Sequence, residues 1–190
     1  MNKKITLLRI EKEVASLTKE PLEQALVAQT ETLIFHFCLL RLEEDFANGF
    51  YHGVLRLAED YPFSPPKIEF LTENGRFEVG KPICTTFTHY HKETWSSSWN
   101  IRTILTALIS FMYSNEKGIG GLFYSSSRRK VLAKNSLKRN LENPQFVNIF
   151  KEQLATRQLV SEEELKKIGD SFLKESSEPS KEEKGEKEDK

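Results

Sequence analysis

The sequence predicts an α+β domain, and three observations carry that prediction. Apolar residues recur at helical spacing near the N-terminus, strand-like runs fill the stretch from Leu26 to Leu71, and a strongly apolar helical stretch follows residue 100. Taken in order, Ile5, Leu8, Val14 and Leu17 fall among Lys, Arg and Glu, which predicts an amphipathic helix over the first twenty residues, ended by Pro21. Leu33, Phe35 and Phe37 alternate, and "YHGVLRL" and "KIEFL" follow across the turn signals "DFANG" and "YPFSPP". That pattern predicts an antiparallel meander of three or four strands, taken here as four. Ile101, Ile104, Leu105, Leu108, Phe111 and Met112 predict a helix crossing the sheet, terminated by "NEKGIGG". Val131, Leu132, Leu137 and Leu141 place a further helix at about Ser126 to Leu141, and "QFVNIFKEQLATRQL" after Pro144 reads as another. "EEELKKI" extends or restarts helix. Beyond Leu173 the chain is Ser, Glu and Lys with almost nothing to bury, so the expected division is a folded core over 1–155 and a charged, largely disordered tail over 156–190.

Composition narrows the function classes. With 190 residues and 38% hydrophobic content, the chain can bury one core. The last thirty residues hold eleven Asp/Glu against seven Lys, which leaves 21 basic and 17 acidic residues before them. A body charge of +4 is too small to argue for a nucleic-acid partner, and "RRKVLAKNSLKR" reads as the wet face of a helix. Two cysteines without C-x-x-C spacing exclude a disulfide scaffold, argue against structural zinc, and fit a reducing compartment, with cytosol as the default. The most apolar run, "ILTALISFMY", has ten residues where a membrane span needs about twenty, so no span is expected in this chain.

The two cysteines sit in different chemistry. Cys38, in "IFHFCLLRL", reads as a small core hydrophobe. Cys84 follows "VGKP" in a turn-rich polar stretch without hydrophobic periodicity, where backbone runs over the surface and an exposed thiol is a liability unless used.

The surrounding residues give that use. "YPFSPP", "TENGRF" (Thr72 to Phe77), the eleven-residue interval from Cys84 to Trp95 and the apolar helix occur in an order that resembles the ubiquitin-conjugating enzymes. Within them the match is to the J subfamily associated with the endoplasmic reticulum, in which a Thr-Pro-Asn-Gly-Arg-Phe type run replaces His-Pro-Asn. The resemblance runs from the first helix to about Leu154. It implies the UBC fold, with N-terminal helix, four-stranded meander, active-site segment, crossover helix and C-terminal helices. It also implies an enzyme without cofactor or metal that accepts ubiquitin from the activating enzyme as a Cys84 thioester and passes it to substrate lysine, or hydroxyl, with a RING-type ligase. Thioester exchange onto Cys84 is nearly balanced in free energy because one thioester replaces another.

Further roles follow from the same resemblance. Asn74, ten residues before Cys84, would aim a carboxamide N–H at the oxyanion formed when the amine attacks, while Asn-Gly by itself also reads as a tight turn. Glu73 stands where the subfamily has proline. His91 matches a subfamily histidine able to accept a proton, and His89 has no obvious counterpart; either reads equally as a loop residue. Pro62, Phe63, Trp95 and Ser97 resemble the two loops offered to RING-type ligases, Ser97 standing where proline is usual, although Phe63 could also fold under the sheet. Lys3, Lys4 and Arg9 resemble the basic face offered to the activating enzyme and look equally like a solvated helix face. "RLEEDFANGFYHG" departs from the family as a reshaped hairpin loop without catalytic consequence. The subfamily implies degradation of misfolded proteins at the cytosolic face of the endoplasmic reticulum. The given sequence ends in "EEKGEKEDK", which cannot insert, so the expectation is a soluble cytoplasmic form, an anchor beyond the sequence, or recruitment by a partner.

Two other classes fit less well. An inactive variant acting as a ubiquitin- or partner-binding module would usually lack the cysteine. A cysteine hydrolase would need a base oriented by a third group, and histidines five and seven residues after Cys84 make a poor triad.

Overall fold

The computed structural model describes residues 3–90, 92–115 and 118–177, with side chains as far as 172. Among them, β1 (Ala25–Glu31), β2 (Ile34–Leu39), β3 (Tyr51–Arg56) and β4 (Lys67–Phe70) form an antiparallel sheet in sequence order. Around it stand α1 (Lys3–Lys19), α2 (Ile101–Tyr113), α3 (Ser126–Leu141), α4 (Pro144–Thr156) and α5 (Glu162–Ser177). The expected α+β order and four-stranded meander are both present.

The sheet is covered on both faces. Phe35, Phe37 and Leu39 join Ile104, Leu105, Leu108 and Met112 of α2 in one core. On the other face Leu26, Cys38 and Leu40 meet Phe146, Phe150 and Leu154 of α4. This explains why β2 reads as a nearly continuous apolar run. Gly53 of β3 is needed for the first core, since a Cβ there would lie 2.3 Å from the Phe37 ring and 2.7 Å from the Glu69 carbonyl. On the second face His36 Nδ1 and His52 Nε2 lie 2.8 Å apart, and the His52 ring stands edge-on to Phe146 and Phe150.

Two helix faces differ from the expectation. In α1, Ile5 and Leu8 are exposed, and the buried residues are Thr6, Ile10 and Glu13. The helix is set by Glu13, whose carboxylate accepts from the Tyr61 hydroxyl (2.7 Å), the Ile101 amide (2.7 Å) and Arg9. In α3, Val131 is 59% exposed, whereas Ser136 and Asn140 are buried. Ser136 Oγ accepts from the Phe50 amide, and Asn140 Nδ2 donates to the Phe50 carbonyl, so a polar seam docks this helix beside β3. Periodicity of apolar residues cannot detect such a seam.

At the other joints local chemistry is conventional. Asn100 caps α2 through a reciprocal capping box with Thr103, and Asn143 caps α4 ahead of Pro144. The reshaped hairpin loop forms a single 3-10 turn at Glu44–Phe46 that buries Phe46 and meets α3, with Ser126 donating to Asp45 and the Arg129 guanidinium over the Phe46 ring. Packing continues past residue 155: Val160 is buried, and Leu165, Ile168 and Phe172 of α5 lie against the α4 core. Of the tail expected to be largely disordered, 156–190, the described part carries α5 as far as Ser177, and 178–190 lies outside the described residues.

Candidate active site

Cys84 is fixed by its backbone on two sides. The preceding Ile83 donates its amide to the Ile68 carbonyl of β4 (2.9 Å), and Cys84 donates its own to the Ile119 carbonyl (3.0 Å). Beyond it Thr88 Oγ1 closes a turn onto the Thr85 amide and carbonyl, and the His89 amide donates to Pro66. The Cys84 thiol is half-buried, and neither cysteine is in a disulfide. Cys38 differs: it is wholly buried, and burial pushes its thiol far above the ordinary range, as expected of a core residue.

Glycines bring the second wall to the cysteine. A Cβ on Gly118 would stand 3.1 Å from the Cys84 carbonyl oxygen, and one on Gly120, whose φ is +77°, would stand 3.0 Å from the Pro82 carbonyl. Both contacts are tight for a Cβ, and the left-handed φ of Gly120 favours glycine as well. The sequence reading treated "GIGG" as a helix terminator and missed this wall; the clustering of glycines was its signal.

Asn74 is built into the turn it starts. Its Oδ1 accepts from the amides of Arg76 (2.8 Å) and Phe77 (2.7 Å), and its Nδ2 donates to the Thr72 carbonyl (3.0 Å). The residue is fully buried. Gly75, at φ +73°, supplies the left-handed step, and Thr72 Oγ1 donates to Asn140 Oδ1, tying the turn to α3. Glu73, in the place of the subfamily's proline, pairs with Arg139 at 2.5 Å on the surface. The carboxamide oxygen and one Nδ2 hydrogen are thus committed to the turn itself.

The histidines part company. His91 lies outside the described residues. The half-buried ring of His89 lies 4.0 Å from that of Tyr90, and its Nδ1 is buried with no hydrogen-bond partner among the described residues. Burial first, then Lys67 and Lys92, lower its pKa and favour the neutral ring.

The two expected docking loops are joined. Trp95 Nε1 donates to the Pro62 carbonyl (2.9 Å), and the Trp95 ring stacks with Trp99, which stacks with Phe87. Phe63 is 54% exposed and does not fold under the sheet; Ser97 is also exposed. Pro62 is buried, so its part is to hold Trp95 through its carbonyl and not to present a surface. Lys3 and Lys4 are exposed on α1. Arg9 is half-buried, pairing with Glu13 and donating to the Trp99 carbonyl (2.7 Å), so its guanidinium also closes the polar joint between α1 and the second loop.

Comparison with known proteins decides the family. The model of the family described as "Ubiquitin-conjugating enzyme" matches residues 9–119, more than half of the chain. The chain belongs to the ubiquitin-conjugating enzyme family. Members of this family are transferases that carry a thioester, and the expectation of such an enzyme holds. The conjugating enzyme is 37% identical over 179 residues to ubiquitin-conjugating enzyme E2 6 of Eremothecium gossypii, covering 92% of this chain and 74% of that one. Mouse ubiquitin-conjugating enzyme E2 J1 is 45% identical over 132 residues, 67% of this chain and 41% of its own length. A Dictyostelium discoideum protein named E2 J2-like is 34% identical over 147 residues, 76% of this chain and 86% of its own. The resemblance to the J subfamily is thus supported. The solved structure of human ubiquitin-conjugating enzyme E2 G1 superposes with a TM-score of 0.50 at 21% identity, over 56% of this chain and 93% of that one, and shows the shared UBC fold. Among the described residues no helix is long and apolar enough to cross a membrane.

Proposed function

We propose that Cys84 accepts ubiquitin from the activating enzyme as a thioester and delivers it to a lysine or hydroxyl of a protein substrate with a RING-type ligase. The observation that carries this reading is a half-buried cysteine whose backbone is held from both sides, in a chain of the conjugating family whose other cysteine is sealed in the core. In the exchange the Cys84 thiolate attacks the incoming thioester carbonyl and the donor enzyme's thiolate leaves; in transfer the acceptor amine attacks, loses a proton and expels the Cys84 thiolate. Asn74 supports the site by shaping the turn and offering its remaining N–H to the oxyanion. His91, like Asn74 taken from the subfamily, is assigned the proton from the incoming acceptor.

Phe63 and Ser97, held together by Trp95 on Pro62, form the ligase-facing surface, and Lys3 and Lys4 the face for the activating enzyme. Likeness to the J subfamily supports a role in degradation of misfolded proteins at the cytosolic face of the endoplasmic reticulum. The test is charging with activating enzyme, ATP and ubiquitin. Wild type and Cys38→Ser are expected to form an adduct cleaved by thiol reductant, and Cys84→Ser an adduct that resists it. No adduct at residue 84 would overturn the reading.

A further inference from the structure

The run "NGRF" contains a second residue, beside Asn74, whose surroundings are unusual. Arg76 is 1% exposed and is among the largest fully buried side chains of the domain. Its guanidinium lies 4.6 Å from the ring centre of Phe77, 5.0 Å from that of Phe123 and 5.8 Å from that of Phe111. Its Nη2 donates to Ser114 Oγ, just past the end of α2 (3.1 Å). A buried cation between aromatic faces is held by the ring quadrupoles, and the planar fork adds a directional hydrogen bond.

What Arg76 grips is the strand of chain that walls the cysteine. Its carbonyl accepts from the Leu122 amide (2.8 Å), and Phe77 pairs with Gly121 as an antiparallel bridge. A Cβ on Gly121 would lie at contact distance, 3.4 Å, from Arg76 Nη1, so the guanidinium sits beside this glycine. From Gly121 the contacts pass on at once: Glu78 donates to the Gly120 carbonyl (2.8 Å) and Cys84 to that of Ile119 (3.0 Å). We infer that Arg76 is a positioning residue, clamping the 118–123 segment between its guanidinium and its aromatic neighbours so that the backbone at Cys84 is held in register for acyl transfer.

This inference rests on the reading of Cys84 as the acyl carrier. The reacting carbonyl hangs from the Cys84 sulfur, so its approach to the acceptor depends on where that backbone is held. A misplacement of about 1 Å in such a step costs about 10²-fold in rate. Lysine keeps the charge of Arg76 but loses the plane and the fork.

The experiment uses the whole chain and its Arg76→Lys and Phe123→Leu variants; Phe123 is 46% exposed, so its replacement leaves the core intact. Preformed Cys84 thioester is discharged onto free lysine in single turnover, and amide exchange is followed at Cys84 and at Val54 in β3. In Arg76→Lys, discharge is expected to slow about 10²-fold while charging at saturating activating enzyme still goes to completion. Protection of the Cys84 amide is expected to fall about tenfold relative to Val54, as opening of the clamped segment alone requires. Phe123→Leu should change both in the same direction by less. Wild-type discharge and unchanged Cys84 protection in a folded Arg76→Lys overturn the clamp. If that variant does not fold, the same two wild-type results in Phe123→Leu overturn it. A wild-type chain that takes no ubiquitin on Cys84 sinks the carrier reading instead, while selective loss of Cys84 protection in the variants would still establish the clamp.

Discussion

Asn74 is held by architecture, and its proposed chemistry can be tested apart from it. Its oxygen holds two amides and one of its hydrogens holds Thr72, all inside a fully buried turn. Asn74→Ala removes all three bonds and is expected to lower stability by about 2–3 kcal/mol in urea unfolding, since buried groups are left unsatisfied. Asn74→Asp keeps both acceptor bonds and loses the N–H. It also sets a carboxylate oxygen against the Thr72 carbonyl in a buried site, so it should lower stability, and below its melting temperature it should slow single-turnover discharge by about 10², the usual effect of losing an oxyanion donor. Discharge by Asn74→Asp at the wild-type rate would assign Asn74 to the turn alone. Glu13 is the corresponding hub at the foot of the domain. Glu13→Ala strands the Ile101 amide, the Tyr61 hydroxyl and Arg9, and is expected to cost about 3 kcal/mol.

At the scale of elements, two joints make testable statements. The first is the loop pair held by Trp95. Trp95→Phe keeps the ring stacking on Trp99 and loses the bond to the Pro62 carbonyl. Charging should be unchanged, while ligase-stimulated discharge should fall about fivefold, in line with about 1 kcal/mol of lost hydrogen bonding. The second joint is the β2–β3 pair under α4. Burial first, and His36 second, push His52 down to about 3, and burial with Arg56 lowers His36 as well. Both rings are therefore buried neutral, and the unfolded chain binds protons that the folded chain refuses. Stability is full above about pH 6.5 and is lost as pH falls toward about 3, with a loss of about 2 kcal/mol by pH 5 from His52 alone. Urea midpoints at pH 7.5 and pH 5 measure it; equal midpoints would contradict the buried neutral pair.

For the molecule as a whole, the sheet is closed on both faces, with α2 on one side and α4 backed by α5 on the other. The half-buried Leu165, Ile168 and Phe172 make α5 part of the packed unit and not an appendage. Truncation after residue 160 should lower stability by about 2–4 kcal/mol, from three side chains each losing part of their burial. Cys84 lies in a segment anchored to β4 and the 118–121 backbone, so the truncated chain should still be charged when assayed below its melting temperature.

Spacing within the chain was enough for the order of elements, the contrast between Cys38 and Cys84, and the family through its ordered motifs. Each of these is a matter of local spacing, and periodicity records which residues share a face. Tertiary packing was needed to learn that Ile5, Leu8 and Val131 lie in solvent, that Pro62 is buried and Arg9 bonded to the Trp99 carbonyl, that the Asn74 carboxamide is committed largely to its own turn, and that a glycine segment thirty-five residues along the chain walls the cysteine. Those outcomes turn on hydrogen bonds and backbone approaches between distant segments. Which polar group meets which depends on how the helices dock against the sheet, and no spacing within a single segment carries that information.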